Sequence, residues 1–226
     1  MILAVGVGFA AINTGNNLLY LLLGMLLWEV VRITQYSISV GAMWEVWSRN
    51  LTNLFITPLR LSEYLMAAVI SGAIKSALIL ATVSLIAVLL FDFDITGMGL
   101  ANLALAFVNL SLFAIAVGLV ILSVIFRYGT RIQALAWGVI FLFQPLTAVY
   151  FPIDTLPSAL ETIAYLFPPT YVFEAARDNL SDQRTDWDTV LTAFALNLVY
   201  LAAAMAFFGF MYAGSRRSGQ FAKLGT

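Results

Sequence analysis

Four stretches of this chain are apolar for as long as a bilayer is thick, and this feature limits what the chain can fold into. Residues 64–91 carry one charge, Lys75, and residues 95–126, 132–153 and 189–215 carry none. A helix needs about 20 apolar residues to cross a hydrocarbon core of about 30 Å. Each stretch therefore predicts one membrane span. Charged residues make up 10% of the chain, against about 25% in soluble domains, which is typical of a membrane protein.

The N-terminal part predicts one more full span and a partial one. Residues 13–17 read Asn-Thr-Gly-Asn-Asn and predict a turn, so a span follows over residues 18–43. Residues 1–12 reach only about 18 Å as a helix, a pattern that an incomplete chain, a misplaced start codon or a short hairpin would each produce. The predicted fold is an all-α polytopic membrane bundle, one domain over residues 1–226, with spans at 1–12 (partial), 18–43, 64–91, 97–126, 132–152 and 189–214.

The distribution of basic residues predicts the orientation of these spans. If the helix over residues 18–43 runs inward, seven basic residues face the cytoplasm and two face outward, which satisfies the positive-inside rule. The predicted cytoplasmic residues are Arg49, Arg60, Arg127, Arg131, Arg216, Arg217 and Lys223, and the outer ones are Arg177 and Arg184. The sequence thus predicts a multi-pass protein of the cytoplasmic membrane with a cytoplasmic C-terminus.

Residue types that the sequence lacks exclude several functions. The chain has no Cys and no His, which removes thiolate and imidazole chemistry and the usual zinc and haem ligands. A net charge of −1 offers no basic surface to nucleic acid. No Walker motif occurs, so any ATP would be hydrolysed by another protein. We therefore predict no catalytic residues, no metal site, no cofactor and no nucleic-acid partner.

An amphipathic segment over residues 44–56 follows the span at 18–43. Its apolar residues recur at helical spacing, which predicts a helix in the cytoplasmic interface, and Thr57-Pro58 ends it. Two interpretations stay open, a plain interfacial anchor and a docking surface for a cytoplasmic partner. The residues predicted to form such a docking surface are Glu45, Trp47, Ser48, Arg49, Asn50, Thr52 and Asn53.

A second segment, on the predicted outer side, contains several prolines. Residues 158–167 are mostly apolar but too short to span, Pro168 and Pro169 interrupt them, and residues 170–179 predict a second short helix. The segment is a candidate re-entrant hairpin, although two amphipathic helices resting on the outer leaflet would fit the same pattern. The residues that define it are Pro157, Pro168, Pro169, Tyr171 and Glu174.

Three charged residues, Glu29, Arg32 and Lys75, lie inside predicted spans. Intramembrane charges are costly and usually pair with each other or face a polar cavity. Glu29 and Lys75 are each about eleven residues from the nearer end of their span, so both lie close to the midplane. We predict a Glu29–Lys75 ion pair with Arg32 nearby. The alternative is a role of these charges in a substrate path or in conformational coupling.

Two motifs carry a resemblance to a known family. The first is LWEVVRITQ at residues 27–35, followed by EVWSRNLTNLF at 45–55 and TPLR at 57–60. The second is FPI at 151–153, LP at 156–157 and FPPTYVFE at 167–174, followed by Arg177. Over about residues 18–226 the chain resembles the permease subunit of ABC-2 type transporters.

The resemblance implies a fold and a set of partners. Such permeases have six spans, form homodimers or heterodimers in the bilayer and bind two cytoplasmic ATP-binding subunits. Residues 44–56 would be the coupling helix that docks on the ATPase, and residues 155–179 the outer re-entrant helices. The chain departs from the family pattern at its front, where the interface helix and the first half of span one are missing.

The predicted function is that of a non-enzymatic permease subunit that a separate ATPase drives, with export as the expected direction of transport. One alternative is an ATP-independent secondary transporter or channel, which would favour inverted repeats or matching broken spans. Another is a truncated membrane scaffold that does not transport. The residues contain no signature of a particular substrate.

Overall fold

The computed structural model describes residues 17–48, 50, 60–181 and 183–217. Within these ranges the chain forms seven α-helices and three short 3-10 turns, at residues 95–98, 129–132 and 153–155. The helices are α1 Asn17–Trp47, α2 Leu61–Phe91, α3 Leu100–Tyr128, α4 Gln133–Leu146, α5 Ser158–Ala164, α6 Pro168–Ser181 and α7 Trp187–Arg217. The all-α prediction is confirmed, while the predicted partial span at residues 1–12 lies outside the described residues.

Four helices are long and apolar enough to cross a membrane, namely α1, α2, α3 and α7. They correspond to the predicted spans at 18–43, 64–91, 97–126 and 189–214. Local chemistry sets several of their ends. The backbone N–H of Arg60 donates to the Glu63 carboxylate (2.8 Å) where α2 begins. Gly99 and Gly129 flank α3 with positive φ angles of 88° and 66°, a conformation that favours glycine.

Of the predicted span over residues 132–152, the structure forms a helix only over Gln133–Leu146. α4 has 14 residues and so reaches about 21 Å, less than the hydrocarbon core. Pro145 does not kink a longer helix but lies in the last turn of this one. The hydroxyl of Thr147 donates to the Phe143 carbonyl (2.8 Å), and Ala148 takes a left-handed conformation with φ of 49°. These residues turn the chain out of the helix.

The long helices pack in the order α2, α1, α3, α7, with α1 and α3 in the centre. Glycine permits close approach at both seams that involve α1. A Cβ at Gly118 would lie 3.1 Å from the Ile38 side chain, and a Cβ at Gly72 would lie 3.1 Å from that of Ser37. Small residues let membrane helices approach closely where hydrophobic burial gives no driving force between them.

The seam between α1 and α2 also contains polar contacts. Ser37 donates from its hydroxyl to the Ala68 carbonyl (3.3 Å), and the Thr34 hydroxyl donates to that of Ser76 (3.3 Å). Ala68, Gly72 and Ser76 recur every four residues, so one small-residue face of α2 rests on α1. Hydroxyls that pair between helices avoid unsatisfied polar groups in hydrocarbon.

The short helix α6 packs across α3 and α7 and also contacts α1. The bend after α4 meets α1 at Gly24, where an added Cβ would overlap the carbonyl oxygen of Val149. Trp28, one turn further along α1, is buried and lies with its ring 6.3 Å from that of Phe173 on α6. α1, the bend and α6 therefore meet in one packed joint.

This joint generates a prediction about Gly24. We expect Gly24→Ala to lower the free energy of unfolding by roughly 1–3 kcal/mol, because the methyl group meets a backbone carbonyl that cannot rotate away. Gly41 in the same helix is the matched control, since an added Cβ there meets nothing within 4 Å. Gly41→Ala should leave stability unchanged or raise it. Melting temperatures of the two variants in detergent test this prediction. Equal effects of the two substitutions would contradict the close contact between Gly24 and Val149.

Candidate functional site

Two of the three predicted intramembrane charges form an ion pair on one face of α1. The Nε atom of Arg32 donates to both carboxylate oxygens of Glu29 at 3.1 Å, and its Nη2 atom bonds the same carboxylate. The two side chains keep 28% and 30% of their surface exposed. Glu29 lies twelve residues into α1, about 18 Å from the helix start. A partly open ion pair thus lies deep in the bundle.

Aromatic residues extend this charged face toward α4. The Arg32 guanidinium lies 5.7 Å from the centre of the Tyr36 ring, within cation–π range. The Tyr36 hydroxyl donates to the Trp137 carbonyl (2.9 Å), and the two rings meet edge to face at 5.3 Å. Trp137 remains 38% exposed. We call Glu29, Arg32, Tyr36 and Trp137 the charged-aromatic face.

The predicted ion pair between Glu29 and Lys75 is wrong. Among the described residues Glu29 is bridged to Arg32, and Lys75 is exposed on α2. The reason is the register of the seam, in which Gly72 and Ser76 face α1. Lys75 precedes Ser76 by one residue, or about 100° around the helix, so its side chain leaves the seam. The spacing of three residues lets Arg32 satisfy Glu29 locally.

The predicted coupling segment is described only in part. Residues 44–47 are the last turn of α1 rather than the start of a separate helix, since no proline precedes Pro58. Asn50 donates from its side chain to the Glu45 carboxylate (2.7 Å), and Ser48 is exposed. The Trp47 ring meets that of Trp44 edge to face at 4.9 Å. Arg49, Thr52 and Asn53 lie outside the described residues.

The proline-containing segment that was predicted on the outer side forms two short helices, α5 and α6, joined at residues 165–167. Pro157 immediately precedes α5, while Pro168 and Pro169 begin α6, where the missing N–H groups have no helical partner to lose. The Tyr171 hydroxyl donates to the Tyr165 carbonyl (3.0 Å). The Thr170 hydroxyl donates to the Ala164 carbonyl (2.6 Å). These bonds hold the two helices as a unit.

A carboxyl group lies half-buried within this unit. Tyr165 donates from its hydroxyl to Oε1 of Glu174 (3.1 Å). Burial raises the pKa of the Glu174 carboxyl above its ordinary value of 4.5. The hydrogen bond from Tyr165 and the charge of Arg177 act in the opposite direction. Burial has the largest effect, and it raises the pKa because it penalises the charged form of the carboxyl.

Sequence reasoning placed Arg177 on the outer side but missed its role. The side chain is only 6% exposed. Its Nη2 atom donates to the carbonyls of Ala148 and Val149, the latter at 3.1 Å, beyond the end of α4. Burial lowers the pKa of this guanidinium to about 10. The available signal was helical spacing, since Arg177 shares one face of α6 with the buried Thr170 and Phe173.

The comparison with known families decides what this membrane bundle is. A family model described as ABC-2 type transporter matches residues 1–181, which include α1–α6. The chain belongs to this family. It is therefore a membrane-spanning permease subunit of an ABC transporter, a multi-pass transport protein of a generally non-catalytic kind. No curated protein matches the chain. Within the described residues no group of three His, Cys, Asp or Glu is placed to hold a metal ion.

The raised pKa of Glu174 predicts a pH dependence of stability. A carboxyl with a higher pKa when folded binds its proton more tightly in the folded state. Stability is therefore lost as the pH rises from about 4.5 through the folded-state pKa. Across pH 4–8 in detergent, we expect the melting temperature of Glu174→Gln to rise relative to that of the wild type.

Tyr165→Phe provides the second arm of this experiment. Removing the hydroxyl removes a bond that lowers the Glu174 pKa, so the loss of stability with rising pH should extend to higher pH. Parallel melting curves for the wild type and Glu174→Gln at every pH would contradict the buried-carboxyl explanation.

Proposed function

We propose that this chain is the permease subunit of an ATP-driven ABC-2 exporter that pairs with a second permease copy and binds a separate cytoplasmic ATPase. The observation that carries the proposal is the family match over residues 1–181. The basic residues favour an orientation with residues 44–60 and the C-terminus in the cytoplasm. In that orientation the end of α1 lies on the side where ATP is available.

The coupling residues are proposed at the cytoplasmic end of α1 and in the segment that leads to α2. Glu45, Trp47, Ser48 and Asn50 would contribute from the described part, together with Arg49, Thr52 and Asn53. The bond between Asn50 and Glu45 supports this assignment (2.7 Å), because it folds the start of the segment back onto α1. A push on the segment would then be transmitted directly to the helix that carries Glu29 and Arg32.

The charged-aromatic face is proposed to line the substrate path between two permease copies. Glu29 and Arg32 are each nearly one-third exposed, and Trp137 and Phe141 expose 38% and 47% on α4. Charges at this depth are stable only beside protein or water. ATP binding can drive transport only if it stabilises one arrangement of this face over another.

The outer unit of α5 and α6 is proposed as a re-entrant hairpin that closes the path from outside. Its support is the burial of the α6 residues Pro168, Pro169 and Arg177 against the bundle, whereas helices resting on a leaflet would bury only one apolar side.

The docking proposal predicts the loss of a partner. From native membranes in detergent, we expect the wild-type chain to co-purify with an ATP-binding subunit. The double variant Arg49→Glu and Asn53→Glu should lose at least tenfold of that subunit, because two negative charges replace a cation and an amide at the docking surface. Lys223→Glu is the control, a charge reversal on the same predicted side but outside the segment.

Equal recovery of the ATPase with the double variant and the wild type would show that Arg49 and Asn53 are not part of the docking surface. Recovery of no ATPase from a folded wild-type chain, even after crosslinking, would overturn the proposed function and favour an ATP-independent transporter or a scaffold.

The proposal for the charged-aromatic face predicts different effects for substitutions of Glu29, which is in the face, and Lys75, which is outside it. Glu29→Gln leaves Arg32 without its counter-ion and should lower the ATPase rate of the reconstituted complex several-fold. Lys75→Met removes an exposed charge outside the face and should leave the rate within twofold of the wild type. Both variants should assemble. If Glu29→Gln retains full activity, these charges do not take part in coupling.

A further inference from the structure

A groove of about 470 Å³ opens on the bundle, and none of its lining residues belongs to the charged-aromatic face. It lies between α2 and α7 and has α3 as its base. Leu119 of α3 and Phe208 of α7 are buried at its bottom, each 7% exposed, and Met66 of α2 and Met205 of α7 form the walls, 64% and 59% exposed. The cause of the groove is the packing order, since α2 packs mainly on α1 and α7 mainly on α3.

The groove is apolar and lies in membrane-spanning helices. Its remaining walls include Leu65, Val69 and Ile70, and Ser62 is the polar residue at one end. An apolar cavity does not hold water stably, and an empty one would forfeit dispersion contacts along its walls. Hydrocarbon is therefore the medium that fits it. Methionines on both walls adapt to a flexible occupant.

The length and depth of the groove match one leaflet. Ser62 to Ile70 on α2 covers eight residues, or about 12 Å along the helix axis. Half of a hydrocarbon core is about 15 Å. Leu119 lies nine residues before the end of α3 at Tyr128. On α7, Met205 and Phe208 lie twelve and nine residues before the end of that helix at Arg217. The groove thus occupies the leaflet in which α2 begins and α3 and α7 end.

Arginines lie at this same end of each lining helix. Arg60 immediately precedes α2 and is exposed, and Arg217 is the exposed last residue of α7. Arg127 is one residue from the end of α3, and a Cβ on Gly214 of α7 would lie 3.5 Å from its Nη1 atom. Cations therefore lie at the same end of all three helices that line the apolar groove, an arrangement that suits a phosphate beyond a hydrocarbon chain.

We propose that this groove binds an acyl chain of an anionic phospholipid from that leaflet, with the lipid phosphate beside Arg60 and Arg217. The proposal rests on the span assignment and not on transport, so it stands or fails separately from the proposed function. The lipid would fill the space between α2 and α7 and hold the two outer spans against α3.

Site-specific photo-crosslinking of the full chain tests the proposal. Met205 is replaced by p-benzoylphenylalanine, and the chain is placed in nanodiscs with equal amounts of phosphatidylglycerol and phosphatidylcholine. Phe210 is the matched control, because it is on the same helix, 76% exposed, and five residues away, which turns it to another face. We expect the ratio of phosphatidylglycerol to phosphatidylcholine adducts to be at least fivefold higher at 205 than at 210, the factor that about 1 kcal/mol from a single one of the two arginines gives.

The double variant Arg60→Gln and Arg217→Gln should bring the two ratios together. Placing the same probe at Met66 repeats the measurement from the opposite wall if the first variant fails to fold. Equal adduct ratios at 205 and 210 in the wild-type background would overturn the proposal, because they describe bulk lipid. Crosslinks at 205 to another part of the chain or to a second copy would also overturn it.

Discussion

The arrangement of this bundle depends on how the backbone is satisfied where α4 stops short. Carbonyls in a bend have no helical partner, and a buried carbonyl that is left without a donor costs free energy. Arg177 supplies the donors from α6, bonding the carbonyls of Ala148 and Val149. The Val149 carbonyl also rests against Gly24. One guanidinium therefore ties α6 to the bend after α4, and α1 packs against the same bend at Gly24.

A second constraint is the close approach of α1 to its neighbours. Gly72 and Gly118 bring α2 and α3 against adjacent sides of the same helix, at Ser37 and Ile38, so α1 has little freedom to rotate about its axis. Glu29 and Arg32 must therefore point away from both seams. This explains why a charged pair persists in a helix that also carries fully buried residues such as Leu27 and Val30. The pair occupies the side that packing leaves open.

Hydropathy and proline positions were sufficient to predict α1, α2, α3, α7 and the two short outer helices, because span length and helix breaking are local properties. They were insufficient for α4, because the apolar run of the sequence continues past Leu146 whereas the helix ends there. Pairing across helices was also beyond the sequence. Whether Glu29 meets Lys75 or Arg32 depends on which face of α2 carries the small residues, and Arg177 could be recognised as buried only from the helix that it packs against.

The packing order also divides the four spans into two kinds. Within an apolar stretch of 18 residues in each span, 56% is buried in α1 and 61% in α3, whereas only 17% is buried in α2 and in α7. Local opening follows buried contact, so amide hydrogen exchange should be slowest in the two central helices. The two peripheral helices, α2 and α7, therefore depend on the surrounding bilayer for lateral support. We therefore expect extraction into detergent to weaken α2 and α7 before the central pair.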